Sequence, residues 1–204
     1  MSAARSTRAP RRSRGGWTRG VSIIEALLAS LMLALLAVPI FAMLDGGTRI
    51  FARGDAASGL HQDLRATVDR MARELRMSGY DPSATGSPAA FEVAGAATVR
   101  FIADADGDGT TERIEYTYEA AARTVTRQFW RWNGANWGAG SGPLVVARNV
   151  DSLTLAYFNA TDGAPAGLGD IRRVAISLAG SRMVAGHGLE RYTVASDARA
   201  RNLL

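Results

Sequence analysis

Asp104, Asp106, Asp108, Gly109 and Glu115 lie within twelve residues of one another. Their spacing, D-x-D-x-D-G-x5-E, is that of a calcium loop, with oxygen donors at positions one, three and five, glycine at six and glutamate at twelve. Thr110, at position seven, completes the candidate ligand set. Hard carboxylate oxygens suit Ca²⁺. Such a loop normally leads out into a helix, whereas Glu115 falls in an alternating, strand-like run. A second reading therefore stands beside the metal: an Asp/Gly hairpin turn between Phe101 and Ile114, whose residues supply left-handed backbone angles.

Other chemistry is sparse. The segment from Arg127 to Trp137 interleaves Arg127 and Arg131 with Phe129, Trp130, Trp132 and Trp137. Stacking and charge neutralisation of this kind hold single-stranded DNA; the competing reading is a hairpin with Trp130 and Trp132 on one face, a tip containing Gly134, and an exposed face for protein contacts. His61 and His187 belong to no metal-spaced cluster, and Gly-x-Ser-x-Gly, P-loop, His-Glu-x-x-His and dinucleotide signatures are missing. With no cysteine in the chain, disulfides, thiolate zinc sites, iron–sulfur clusters and cysteine nucleophiles are excluded. The sequence predicts no enzymatic activity.

The elements that must position these residues begin with the charge distribution. The chain has 204 residues, 47% hydrophobic and 21% charged, which suits one folded domain with an extension. Its net charge of +5 is confined to the tip: residues 1–20 carry Arg5, Arg8, Arg11, Arg12, Arg14 and Arg19 and no acid, leaving 18 basic against 19 acidic residues elsewhere. A nucleic-acid partner is not expected. Val21 to Leu44 then forms an apolar run of 24 residues with one charge, Glu25. At about 1.5 Å per residue it covers a hydrocarbon core of about 30 Å. The arginines before it place the N-terminus in the cytoplasm and residues 45–204 outside, a single-pass cytoplasmic (inner) membrane protein.

Three simpler accounts of this run compete. It is too long for a cleaved secretory signal, which also carries no carboxylate in its core. The Arg11-Arg12 pair suggests a twin-arginine signal, but lies well before Val21. A plain anchor explains length and orientation but not Glu25, which costs about 2.5–3.5 kcal/mol near the centre of a lipid-facing helix and somewhat less toward an end. Pro39 cannot donate to the carbonyl of Leu35 and is expected to kink the helix, or to be tolerated through its neighbours.

Arg19-Gly20-Val21-Ser22-Ile23-Ile24-Glu25 followed by an apolar helix resembles the processing site of type IV prepilins and type II secretion pseudopilins. The family departs from this chain in most often having Phe where Val21 stands. The resemblance implies cleavage after Gly20 by a prepilin peptidase, methylation of Val21 as the mature N-terminus, and pairing of Glu25 with the N-terminal amine of a neighbouring subunit. Independently of the family, an amine and a carboxylate that are each costly in lipid relieve one another when two subunits meet. Met71–Pro82 (MARELRMSGYDP) resembles the helix exit of PilW-like minor pilins and J-type pseudopilins, and Arg201-Asn202-Leu203 the close of many PilW-like chains. The implied partners are other pilin subunits and an inner-membrane assembly platform. Two alternatives are a membrane-anchored calcium-dependent adhesin and a DNA-uptake receptor.

Between Asp45 and Gly59 four glycines make helix weak. Leu60, Leu64, Val68, Met71 and Leu75, spaced 4, 4, 3, 4, then predict an amphipathic helix ending at Gly79. Beyond Ser87, short β-rich runs are predicted over 98–103, 112–120, 124–132, 144–146, 152–158, 171–178 and 189–195. Ile114, Tyr116 and Tyr118 alternate with polar residues, as do Val174, Ile176 and Leu178, which predicts half-buried antiparallel strands. The expected fold is α+β and pilin-like, with a long N-terminal helix packed on an antiparallel sheet: a basic leader over 1–20, a transmembrane assembly helix over 21–44, a helix continuation over 45–80, and a β-rich head over 81–204.

Overall fold

The computed structural model describes residues 20, 22–87, 89–184 and 188–203, apart from the side chains of 49–57 and 184. The leader 1–19, Val21 and His187 lie outside the described residues. Among the described residues the protein is α+β, with one long helix and two antiparallel sheets, and the chain divides into two compact units, residues 1–47 and 48–204.

Helix α1 runs from Ile23 to Arg76. Its first 26 residues, Ile23–Thr48, have a mean hydropathy of 2.6 and a most apolar window with no buried residue, and are long and apolar enough to cross a membrane. Pro39 lies inside the helix without ending it. The glycine-rich stretch, where the sequence makes helix weak, is helical throughout. Each glycine costs about 1 kcal/mol relative to alanine, but the nucleation penalty falls once per helix. Strong helix on both sides carries the weak middle.

In the second unit, β1 (Phe91–Ala94), β2 (Thr98–Ala103), β3 (Glu112–Glu119), β4 (Thr124–Arg131) and β5 (Leu144–Arg148) pair in sequence order as an antiparallel five-stranded sheet. β6 (Val150–Phe158), β7 (Arg173–Val184) and β8 (Gly188–Arg199) form a second, three-stranded sheet. The single sheet expected from the sequence is therefore two, with β1 an additional strand. Asn149, with φ of 58°, marks the corner between them. Its carbonyl accepts the Ser181 N–H and would lie 2.7 Å from a Cβ at Gly180, so only glycine fits there.

The predicted helix stripe faces the core. Leu60, Leu64, Val68, Met71 and Leu75 are each 2% exposed or less and share one cluster with Phe101, Ile114, Tyr116, Val174, Ile176 and Leu178. Beside the stripe a buried polar cluster joins the helix to the five-stranded sheet. Glu74 Oε2 accepts from the Tyr116 hydroxyl (2.8 Å) and Arg127 Nε (3.0 Å), and Glu74 Oε1 from Arg70 Nε (3.1 Å). Burial raises the Tyr116 pKa well above the usual phenol value, reinforced by the Glu74 charge. Burial opposes the Arg127 charge, but Glu74 and Tyr116 together hold its pKa above the ordinary value.

The helix ends at Arg76, three residues before Gly79, and its last carbonyls are met by the chain's own C-terminal segment. The Arg201 N–H donates to Arg76 O (3.1 Å) and Asn202 Nδ2 to Met77 O (3.3 Å). Arg76 O is an acceptor that a helix terminus otherwise leaves to water, while Met77 O, just beyond the helix, also accepts the Tyr80 N–H.

Truncating Leu64 to alanine should destabilise the second unit by about 2–5 kcal/mol. Denaturant unfolding of the detergent-solubilised full chain, followed by tryptophan fluorescence, should show this loss while the exposed Leu33→Ala leaves the transition in place. A double-mutant cycle examines the polar cluster. Glu74→Leu alone strands Arg127 and should cost about 3–5 kcal/mol, and adding Arg127→Met should recover a large part of it. Strict additivity of the two changes would show that the pair is not coupled.

Candidate functional site

The β2–β3 hairpin carries the acidic loop, residues 104–111, between Ala103 and Glu112, which are register partners. Asp104 is 2% exposed, and its carboxylate organises the turn: Oδ1 accepts from Gly107 N–H (2.7 Å) and Oδ2 from Gly109 N–H (3.0 Å). Both glycines have positive φ, 77° and 81°, as the predicted turn requires. Asp106 accepts the Asp108 N–H, and Asp108 the Thr110 N–H at 2.8 Å. That Thr110 bond is the leading cause of the lowered Asp108 pKa. One carboxylate oxygen from each of Asp104, Asp106 and Asp108 lies within 4.8 Å of the other two.

Glu115, the expected twelfth-position ligand, is not brought to this loop. It lies on β3 opposite Arg100, whose Nε donates to Glu115 Oε2 at 2.7 Å. A strand rises about 3.3 Å per residue and alternates faces, so continuing as a strand carries position twelve away, whereas a helix would fold it back. Glu112 is the glutamate at the loop's exit. It opens β3, is 3% exposed, and accepts the Ala105 N–H on Oε2 at 3.0 Å, while its Oε1 is buried without a hydrogen-bond donor. Burial raises its pKa. The alternation that puts Ile114 and Tyr116 in the core puts Glu112 on the same face, and a glutamate on a core face was the signal available in the sequence.

Arg131, the register partner of Glu112 across β3 and β4, reaches over the loop. Its guanidinium pairs with Asp106, with Asp108 (Nη1 to Oδ2, 3.1 Å) and, at 3.5 Å, with Glu112 Oε1. Asp106, Glu112, Arg131, Arg127, Arg70 and Glu74 line a cleft of about 240 Å³. The loop exit is anchored to the segment after the helix: Thr111 Oγ1 donates to Asp81 Oδ1 (2.6 Å), and the Thr111 N–H to Ser83 Oγ (2.9 Å). The MSGYDP stretch thus holds the far end of the acidic loop. An all-oxygen donor set suits a hard divalent cation.

The aromatic segment is tied into ion pairs. Arg127 is bound to Glu74 and Arg131 to the acidic loop, while Trp130 and Trp137 lie under Arg100 (5.5 Å) and Arg113 (4.2 Å), themselves paired with Glu115 and Glu92. Trp132 meets Trp137 edge to face at 5.2 Å, closing the tip. His61 lies 5.8 Å from the ring of Tyr192.

At the N-terminal end, Gly20 is exposed and precedes α1, whose first turn is closed by Ala26 N–H on Ser22 O at 3.0 Å. Glu25 stands in that turn, exposed, where the helix dipole favours negative charge. Ile23, Ile24, Leu27, Leu28 and Leu31 around it are all more than half exposed. No family model matches the chain, and no curated protein matches its sequence.

Proposed function

We propose that the chain is a minor pilin or pseudopilin, a structural subunit of a type IV pilus or type II secretion-like filament. The observation that carries this reading is Gly20 followed, five residues on, by Glu25 in the first turn of an exposed apolar helix that continues unbroken to Arg76. A surface so apolar must be covered by lipid or by other apolar helices. A helix used first as a membrane span and then as the packing element of a filament meets both conditions in turn. Packing of residues 60–75 on antiparallel sheets supports the same reading, because the second half of the helix is then fixed to a folded head.

In this scheme the N-terminus is cytoplasmic and the head extracytoplasmic. A prepilin peptidase cuts after Gly20, and Val21 becomes the methylated N-terminus. Glu25 then pairs with the terminal amine of an adjacent subunit, relieving two charges that are each costly in lipid. Pro39 loosens the helix in the middle of the span. The MARELRMSGYDP helix exit and the closing Arg201-Asn202 resemble those of PilW-like and J-type chains, which supports an initiating or tip-proximal subunit over a major one. The DNA-uptake alternative is the weaker one, since Arg127 and Arg131 of the aromatic segment are engaged by carboxylates.

Intact-mass and N-terminal analysis of the membrane-extracted protein, from cells with and without a prepilin peptidase, tests the proposal. A mature chain beginning at methylated Val21 only when the peptidase is present is the expected result; an intact leader in both strains would leave an anchored binding protein as the better reading. Glu25→Ala should still be cut but should fall at least about tenfold in sheared filament fractions, for loss of an ion pair worth more than about 1.4 kcal/mol in lipid.

A further inference from the structure

A cleft of about 700 Å³ opens where the helix ends, bordered by Arg70, Arg73, Arg76 and Arg201 together with Asp104 and Asp106. Its acids are already engaged. Glu74, which also borders it, is held by Tyr116, Arg127 and Arg70, Asp104 by the Gly107 and Gly109 N–H groups, and Asp106 by Arg131. Arg76 Nη2 donates to the Asp197 carbonyl at 3.2 Å, so its charge meets no carboxylate. Among the described residues, the side chains of Arg73 and Arg201 have no hydrogen-bond or ion-pair partner. Three guanidiniums therefore share one cleft without an acid of their own.

Arginines in the last turn of a helix offset its dipole, which accounts for Arg73 and Arg76. It does not account for Arg201, which arrives from the far end of the chain and is fixed beside them by its own N–H on Arg76 O (3.1 Å). Like charges gathered by a tertiary contact repel, and an anion between them relieves that repulsion. We propose that this cleft is a docking site for a protein segment bearing neighbouring Asp or Glu carboxylates, gripped by Arg73, Arg76 and Arg201. The planar guanidinium fork matches a carboxylate with two parallel hydrogen bonds. Residues three apart on a helix are surface neighbours, about 5–6 Å between Cβ atoms, so Arg73 and Arg76 suit two adjacent acids better than one. A nucleic-acid strand is the poorer fit. It carries a phosphate at every step, whereas the chain beyond the leader has 18 basic against 19 acidic residues and Asp104 and Asp106 border the same cleft. The site goes beyond the filament reading and stands independently of it.

Fluorescence anisotropy of a labelled, capped triglutamate peptide, titrated with the full chain in non-ionic detergent, tests the site. Expected is saturable binding that weakens as NaCl rises from about 0.05 to about 0.5 M, with a triglutamine peptide bound far less. Arginines of the leader contribute a background common to every variant, so the differences between variants carry the result. Arg73→Gln and Arg201→Gln, both at exposed positions, should each weaken binding at least about threefold. Arg65→Gln, exposed on the same helix and paired with Asp69, should leave it unchanged. Phenylglyoxal modification mapped by mass spectrometry locates the contact directly: the peptide should shield Arg73 and Arg201 and leave Arg65 reactive. Four results would overturn the proposal: equal binding of the triglutamine peptide, equal loss on Arg65→Gln and Arg73→Gln, no shielding of Arg73 and Arg201, or stronger shielding of both by an oligo-dT strand than by the peptide.

Discussion

A single carboxylate, that of Glu74, fixes where the helix lies on the five-stranded sheet. The apolar stripe from Leu60 to Leu75 supplies most of the attraction, but apolar contact is not directional and tolerates sliding. Glu74 is different, because its two oxygens are met by Arg70 from the same helix and by Tyr116 and Arg127 from β3 and β4. Sliding by one helical turn, about 5.4 Å, would part it from both strands and leave Arg127 buried without its acid. Arg127 and Arg131 are four residues apart on β4 and so share a face. The strand that anchors the helix through Arg127 therefore aims Arg131 at the acidic loop, and the cleft between them is lined by both ion-pair groups.

Periodicity made the local elements legible. The 4, 4, 3, 4 spacing picked out five helix positions that are all buried, and the alternation in β3 and β7 put Ile114, Tyr116, Val174, Ile176 and Leu178 in the core. What the pattern could not carry was pairing. The split into two sheets depends on the corner at Asn149 and on the close approach of its carbonyl to Gly180, neither of which leaves a periodic trace. β1 has four residues, a bulged register with β2 and one fully buried side chain, which is too little for an alternating signal. Strand ends missed in β7 and β8 are of the same kind: pairing over twelve residues extends both well beyond their apolar stretches.

The acidic loop was half legible. Spacing found Asp104, Asp106 and Asp108, and the turn they make is present with left-handed glycines at 107 and 109. The Asx bonds that shape the hairpin also gather the three aspartates. Glu115 lies instead on β3 against Arg100, because the spacing rule assumes a helical exit and here a strand follows. On a strand, residues 112 and 115 face opposite ways, so only one of them can look at the loop, and the core position of Ile114 decides that it is Glu112.

The two ends of the second unit explain each other. The helix stops at Arg76 and the last strand at Arg199; the Arg201 N–H takes up the carbonyl of Arg76, and the Asn202 side chain that of Met77 just beyond it. Gly79, with φ of 84° and the Leu203 side chain 2.6 Å from where a Cβ would stand, completes the closure. Met71–Pro82 and Arg201–Leu203, the two segments that carry the likeness to PilW-like chains, are thus one contact seen from either side. Substitution in either would be felt by the other. The same exit segment supplies Asp81 and Ser83 to hold Thr111 at the end of the acidic loop. Helix end, chain end and loop are in this way one hydrogen-bonded assembly.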